Sequence, residues 1–133
     1  MFRSIGLLLV LIHLFSPTSR AQEYTPDANT VALYHFNELS GQTVFDASSN
    51  HNDGIATGTT IVDGKFGKAR NFERSGVHHV VVADNASVRV TGAVTLEAWI
   101  LPGTSDLGPY YPIVQKYDTE KKSYRLFMYD TNR

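Results

Sequence analysis

Ala93-Val94-Thr95-Leu96-Glu97-Ala98-Trp99-Ile100-Leu101, stopped by Pro102-Gly103, is the stretch on which the fold turns. It reads as the longest strand of the chain, ended by two residues that break a ladder. Working outward, Val77–Ala83 is a β-branched run that ends at Asp84-Asn85-Ala86-Ser87. In Thr30–Phe36 the residues Ala32, Tyr34 and Phe36 share one face, and Val31, Leu33 and His35 share the other. Thr43–Phe45 is a further short strand, and Ile61-Val62 leads into the tight turn Asp63-Gly64. Downstream, Pro109 and Pro112 bracket Tyr110-Tyr111 in a loop. Ile113–Tyr117 and Ser123–Tyr129 then form a hairpin through Asp118–Lys122. The stretch from Asp46 to Gly58 reads as a loop of Asp, Asn, Ser, Gly and His. No segment shows a capped helical period, so the fold class is all-β, an antiparallel sandwich or barrel.

The N-terminus carries an export signal. Arg3 supplies a positive start, Ile5–Phe15 an apolar run of about eleven residues, and Ser19 and Ala21 the small residues of a cleavage site. Such a run is too short to span a bilayer, which needs roughly twenty residues. The expectation is a signal peptide over 1–21, an exposed lead-in over 22–29 and one domain over 30–133, secreted and without membrane insertion of the mature chain. Twelve Lys and Arg, two of them (Arg3 and Arg20) in the leader, leave ten against thirteen Asp and Glu, a net charge near −3. That balance argues against nucleic-acid binding, which calls for a concentrated basic surface. The absence of cysteine excludes disulfides, thiolate zinc sites and thiol catalysis.

Together Val31-Ala32-Leu33-Tyr34-His35-Phe36-Asn37-Glu38, Ser40-Gly41 and Asp46-Ala47-Ser48-Ser49-Asn50 resemble the start of the laminin-G-like, concanavalin A-like jelly-roll domains. So do Asp63-Gly64-Lys65-Phe66-Gly67-Lys68-Ala69 with Phe72, and Val94-Thr95-Leu96-Glu97-Ala98-Trp99-Ile100 with Pro102. The resemblance runs from residue 31 to about residue 129. It implies a jelly-roll sandwich, and it departs from the family at Ser49, commonly Gly, and at Val94, often aromatic. A jelly roll closes with about eight strands, more than the pattern supplies, so the expectation is a domain incomplete at its C-terminal end.

Asp46, Asn50, Asn52 and Asp53 are the candidate metal ligands. Oxygen-bearing side chains recur at alternate positions, and calcium takes six to eight oxygens. The resemblance adds that lectin-like jelly rolls hold calcium in edge loops. The competing interpretation is a set of Asx-turns in which these side chains bond their own backbone. The histidines are poor zinc ligands, because His78 and His79 are adjacent in a strand and point to opposite faces. Glu97 has no second carboxylate on its face, which disfavours the glucanase-type glycoside hydrolase known on this fold. Trp99 reads as core. Tyr110 and Tyr111 are the candidate ligand-binding residues, either offering rigid aromatic contact or folding over the sandwich edge. Lys65, Lys68, Arg70 and Arg74 read as a solvated face, and Asn85-Ala86-Ser87 is a glycosylation sequon. The function expected is non-catalytic recognition of a glycan or an extracellular protein, the alternative a structural or adhesive spacer of a larger surface protein.

Overall fold

The computed structural model describes residues 22–73, 76–103, 110–117 and 122–129. The leader expected over 1–21, Arg74 and Pro109 lie outside these residues. The described chain is all-β, with no helix and seven strands: β1 (Thr43–Val44), β2 (Gly54–Thr57), β3 (Thr60–Asp63), β4 (Lys68–Asn71), β5 (His79–Val82), β6 (Tyr111–Tyr117) and β7 (Lys122–Met128). All pairings are antiparallel. They form a three-stranded sheet β1-β2-β5 and two hairpins, β3-β4 and β6-β7, and the sheets are not closed.

The three-stranded sheet is built by alternation. Val44, Gly54, Ala56, Val80 and Val82 share one face, while Thr43, Phe45, Ile55 and Val81 share the other. Val44 is fully buried and Ala56 nearly so, but Phe45, Ile55 and Val81 are exposed on the opposite face. Burying Val44 contributes about 2 kcal/mol. Gly54 is required by the close packing of its own face, where a Cβ would sit 2.6 Å from Val80 Cγ1. In the β3-β4 hairpin Asp63 lies opposite Lys68, and the turn between them closes through Gly64 N–H donating to the Gly67 carbonyl at 2.9 Å. Gly67 takes a left-handed φ of 63° against Asn37, whose Oδ1 accepts the Lys68 N–H at 2.8 Å.

Several expectations change, one being that Tyr111 and Pro112, read as loop, belong to β6. Gly54–Thr57 is a strand although it falls in the stretch read as loop: Gly and Ala carry little intrinsic β-preference, and pairing with both neighbours decides the matter. Lys68–Asn71 is also a strand, and Arg70 is buried rather than solvated. In Thr30–Phe36 only an isolated bridge, Tyr34 to Asp46, forms, and Phe36 turns to a φ of 59°. Finally, Ala93–Leu101 joins no ladder among the described residues. Trp99 there is 78% exposed and meets the Phe66 ring edge-on at 6.3 Å, outside any core. A strand needs a partner as well as a propensity, and among the described residues this segment meets no partner.

The β6-β7 hairpin is held through its inward face. Lys116 pairs with the Asp84 carboxylate, which Arg89 also grips, and the hydroxyl of Tyr124, opposite Lys116, donates to the Val88 carbonyl at 3.1 Å. The Arg89 and Lys116 hydrogen bonds hold the Asp84 carboxyl well below the usual carboxylate range.

One prediction tests the close packing of the three-stranded sheet. Gly54→Ala forces its new methyl group against Val80 and should cost about 1–3 kcal/mol, as overpacked cores do. Denaturant unfolding measures it, and an unchanged midpoint would contradict the packing.

Candidate functional site

Two groups of side chains stand out, and the first is the loop after β1. Asp46 is buried with its carboxylate fully engaged. Its Oδ1 accepts the Leu33 N–H at 2.8 Å and the Ser48 N–H at 2.9 Å, and its Oδ2 accepts the Ser48 hydroxyl at 2.7 Å and the Asn52 N–H at 2.8 Å. Asp53 Oδ1 in turn accepts the Asp46 N–H at 2.8 Å. His51, in a left-handed φ of 51°, supplies the reversal just before the Asn52 amide that Asp46 binds.

Asn52 extends the cluster. Its Nδ2 donates to the Val31 carbonyl at 2.9 Å, and its Oδ1 accepts Asn85 Nδ2 at 2.5 Å and lies 3.0 Å from the Ser87 hydroxyl. Asn50 Nδ2 donates to the same Val31 carbonyl at 3.0 Å. Tyr34 donates its hydroxyl proton to the Asn52 carbonyl at 2.5 Å. Burial, with the Asp46 and Asp53 carboxylates and Tyr124 nearby, pushes the Tyr34 phenol far above its ordinary range. It therefore stays a donor.

The structure thus draws Asp46, Asn50, Asn52 and Asp53 together, but of these four only Asp46 makes the Asx-turn of the competing interpretation, to the Ser48 amide; the bonds of the other three reach residues remote in sequence. A carboxylate has about four acceptor positions, and each one on Asp46 meets a donor of the chain itself. A cation at this loop would have to displace those donors. Among the described residues no group of three or more His, Cys, Asp or Glu is arranged to hold a metal ion. His78 and His79 go to separate partners: His78 Nδ1 accepts the Glu73 N–H at 2.8 Å, and His79 Nδ1 lies 3.2 Å from the Val77 carbonyl.

The second group lies on the outward face of β6-β7. Tyr110 and Phe127 stack with ring centroids 4.7 Å apart and planes inclined by 30°. The Arg125 guanidinium carbon sits 5.2 Å from the Phe127 centroid and 5.7 Å from that of Tyr110. Tyr110 is 43% exposed and Phe127 39%, and Arg125, Gln115, Tyr117 and Tyr129 are exposed as well. Tyr111 alternates to the half-buried side. Of the two tyrosines expected to bind a ligand, then, only Tyr110 is displayed on this face. Arg125, Phe127, Tyr117 and Tyr129 were missed, although the alternation of Arg125, Phe127 and Tyr129 along one strand was there to be read.

A shallow groove of about 410 Å³ lies elsewhere, lined by His35, Asn37, Glu38, Leu39, Ser40, Phe45 and Ala47. Glu38 there is turned inward, its Oε1 accepting the Phe45 N–H at 3.0 Å and its Oε2 lying 3.6 Å from Arg70. Glu97 is exposed. No protein-family model matches the chain, and no curated protein or solved structure is significantly similar to it.

The Asp46 cluster makes a pH prediction. Burial alone would raise the Asp46 carboxyl, but the Leu33 amide, the Ser48 hydroxyl and the Ser48 and Asn52 amides outweigh it and hold the group below its ordinary value. A depressed folded pKa stabilises the fold above the unfolded value, about 3.9, and that stabilisation is lost as pH falls through the folded value. Asp46→Asn should therefore lower stability at pH 7 by about 2–3 kcal/mol, since an amide nitrogen cannot accept these donors. It should also flatten the acid limb of the stability curve. Thermal melts of both proteins between pH 2 and pH 7 are the measurement, and parallel curves would refute the assignment.

Proposed function

We propose that the chain is an exported, non-catalytic recognition module that binds carbohydrate outside the cell through the outward face of β6-β7. The observation that carries this is the half-exposed Tyr110–Phe127 stack. Large apolar rings held open to solvent on a strand surface are costly unless something covers them. Aromatic side chains add rigid contact area with little conformational entropy to lose, and their faces suit the C–H faces of sugar rings.

The jelly-roll resemblance and the export signal over 1–21 support the same reading. The all-β character and the small antiparallel sheets agree with the first, and residues 31 to about 129 carry it. Among the described residues no helix is long and apolar enough to cross a membrane. The spacer alternative requires no exposed aromatic platform, and the platform is what favours recognition. In this reading the Asp46 loop is a structural brace, so binding persists when calcium is chelated.

The test is a glycan array followed by titration of any sugar it identifies. Tyr110→Ala and Phe127→Ala should each weaken binding at least tenfold with the melting temperature little changed, because both side chains are partly exposed. Array silence with and without chelator, or binding indifferent to both substitutions, would remove the carbohydrate reading. Capture of a protein in place of a sugar would redirect the same face to a protein partner.

A further inference from the structure

We infer that the sugar chain bound on the β6-β7 face carries carboxylates, as a polyuronate does, and that Arg125 is the residue that reads them. This inference rests on the carbohydrate reading above and narrows it to an anionic class. Its basis is the state of Arg125. Among the described residues the Arg125 guanidinium has no ion pair and no hydrogen bond; its only specific contacts are the faces of Tyr110 and Phe127. Nearby, Arg89 and Lys116 are both paired with Asp84.

A guanidinium set against two rings is held without being neutralised. Contact with the rings uses none of its N–H donors, the fork that fits a carboxylate through two parallel hydrogen bonds. The ring contacts restrict the side chain beforehand, so less of its freedom is lost when an anion arrives. The spacing suits a uronic acid. With the guanidinium 5.2–5.7 Å from the ring centroids, a pyranose resting against the exposed part of the Tyr110–Phe127 stack puts the carboxylate on its own ring within reach of Arg125. Gln115, directly across the hairpin and exposed, adds an amide for ring hydroxyls. Tyr117 and Tyr129 are further exposed aromatics on the hairpin, available to successive sugars.

A neutral glycan would use the rings alone and gain nothing from the free fork. An acidic peptide would match the charge but would not need the ring faces, so the pairing of an unneutralised guanidinium with an open aromatic stack favours the acidic sugar.

The probe is an oligogalacturonate and its fully methyl-esterified counterpart, which keeps every sugar ring and removes every charge. Binding of both to the full chain is followed by isothermal titration. The acid form should bind at least tenfold more tightly than the ester, with a preference that shrinks as salt is raised. Arg125→Gln should bring the acid form down to the affinity of the ester and leave the ester unaffected, and Arg125→Lys should fall between, keeping the charge but losing the fork. Circular dichroism confirms that each variant is folded.

Equal affinity for acid and ester, unaffected by Arg125→Gln, overturns the inference and leaves the carbohydrate reading standing. A preference for the acid that survives Arg125→Gln overturns it too, by placing the anion elsewhere. A poly-glutamate peptide that binds as tightly as the uronate overturns it in favour of an acidic protein. If neither oligomer binds and the array is also silent, the carbohydrate reading fails with it.

Discussion

The Asp46 carboxylate is the point on which the described structure depends. Four donors converge on its two oxygens, three of them backbone amides from Leu33, Ser48 and Asn52. Backbone amides that leave water must find acceptors, and here a single side chain serves segments separated by up to nineteen residues. This explains why Thr30–Phe36, for all its alternation, makes only one bridge. Side chains already take the Val31 carbonyl, through Asn50 and Asn52, and the Leu33 amide, through Asp46, while the Leu33 carbonyl accepts the Ala47 amide within the one bridge. Side-chain bonding of this kind competes directly with ladder formation.

From that centre the constraint passes outward. Asn52 links the Asp46 loop to Asn85 and Ser87 in the segment after β5. The same segment carries Asp84 and Val88, which hold Lys116 and Tyr124 on the inward face of the last hairpin. In a strand the neighbours of Tyr124 must point the other way. Tying down Lys116 and Tyr124 therefore presents Arg125 outward, and the chemistry of that face follows from a polar network whose anchor is far from it in sequence.

What the sequence made legible follows from how local each signal is. The Asp63-Gly64 turn, the β6-β7 hairpin and the crowding of oxygens at Asp46, Asn50, Asn52 and Asp53 are short-range features, and all appear in the structure. Gly54–Thr57 was illegible because Gly54 and Ala56 interrupt its two β-branched residues and its strand character comes from β1 and β5 on either side. Arg70 looked like one more basic surface residue, yet its NH2 donates to the Gly41 carbonyl at 3.1 Å and lies beside Glu38, both remote in sequence. Trp99 erred in the opposite direction. Its size and β-rich setting implied a core, but burial requires an opposing layer, and composition cannot say whether one is present.

Exposed apolar surface has two origins, and the molecule contains both. On the outward face of β1-β2-β5, Phe45, Ile55 and Val81 stand side by side with no charged neighbour on their strands at that face. A surface of that composition resembles half of a core and asks for another apolar layer. The outward face of β6-β7 differs. It mixes aromatic rings with an arginine and a glutamine, the composition that marks contact surfaces, where Tyr and Arg are enriched. Arg125 is the decisive residue. A packing layer would have to bury its charge without a partner, at a cost of several kcal/mol, whereas a hydrated, anionic ligand can meet the same charge with its own. The two faces therefore call for different complements, and only the second calls for one that carries charge.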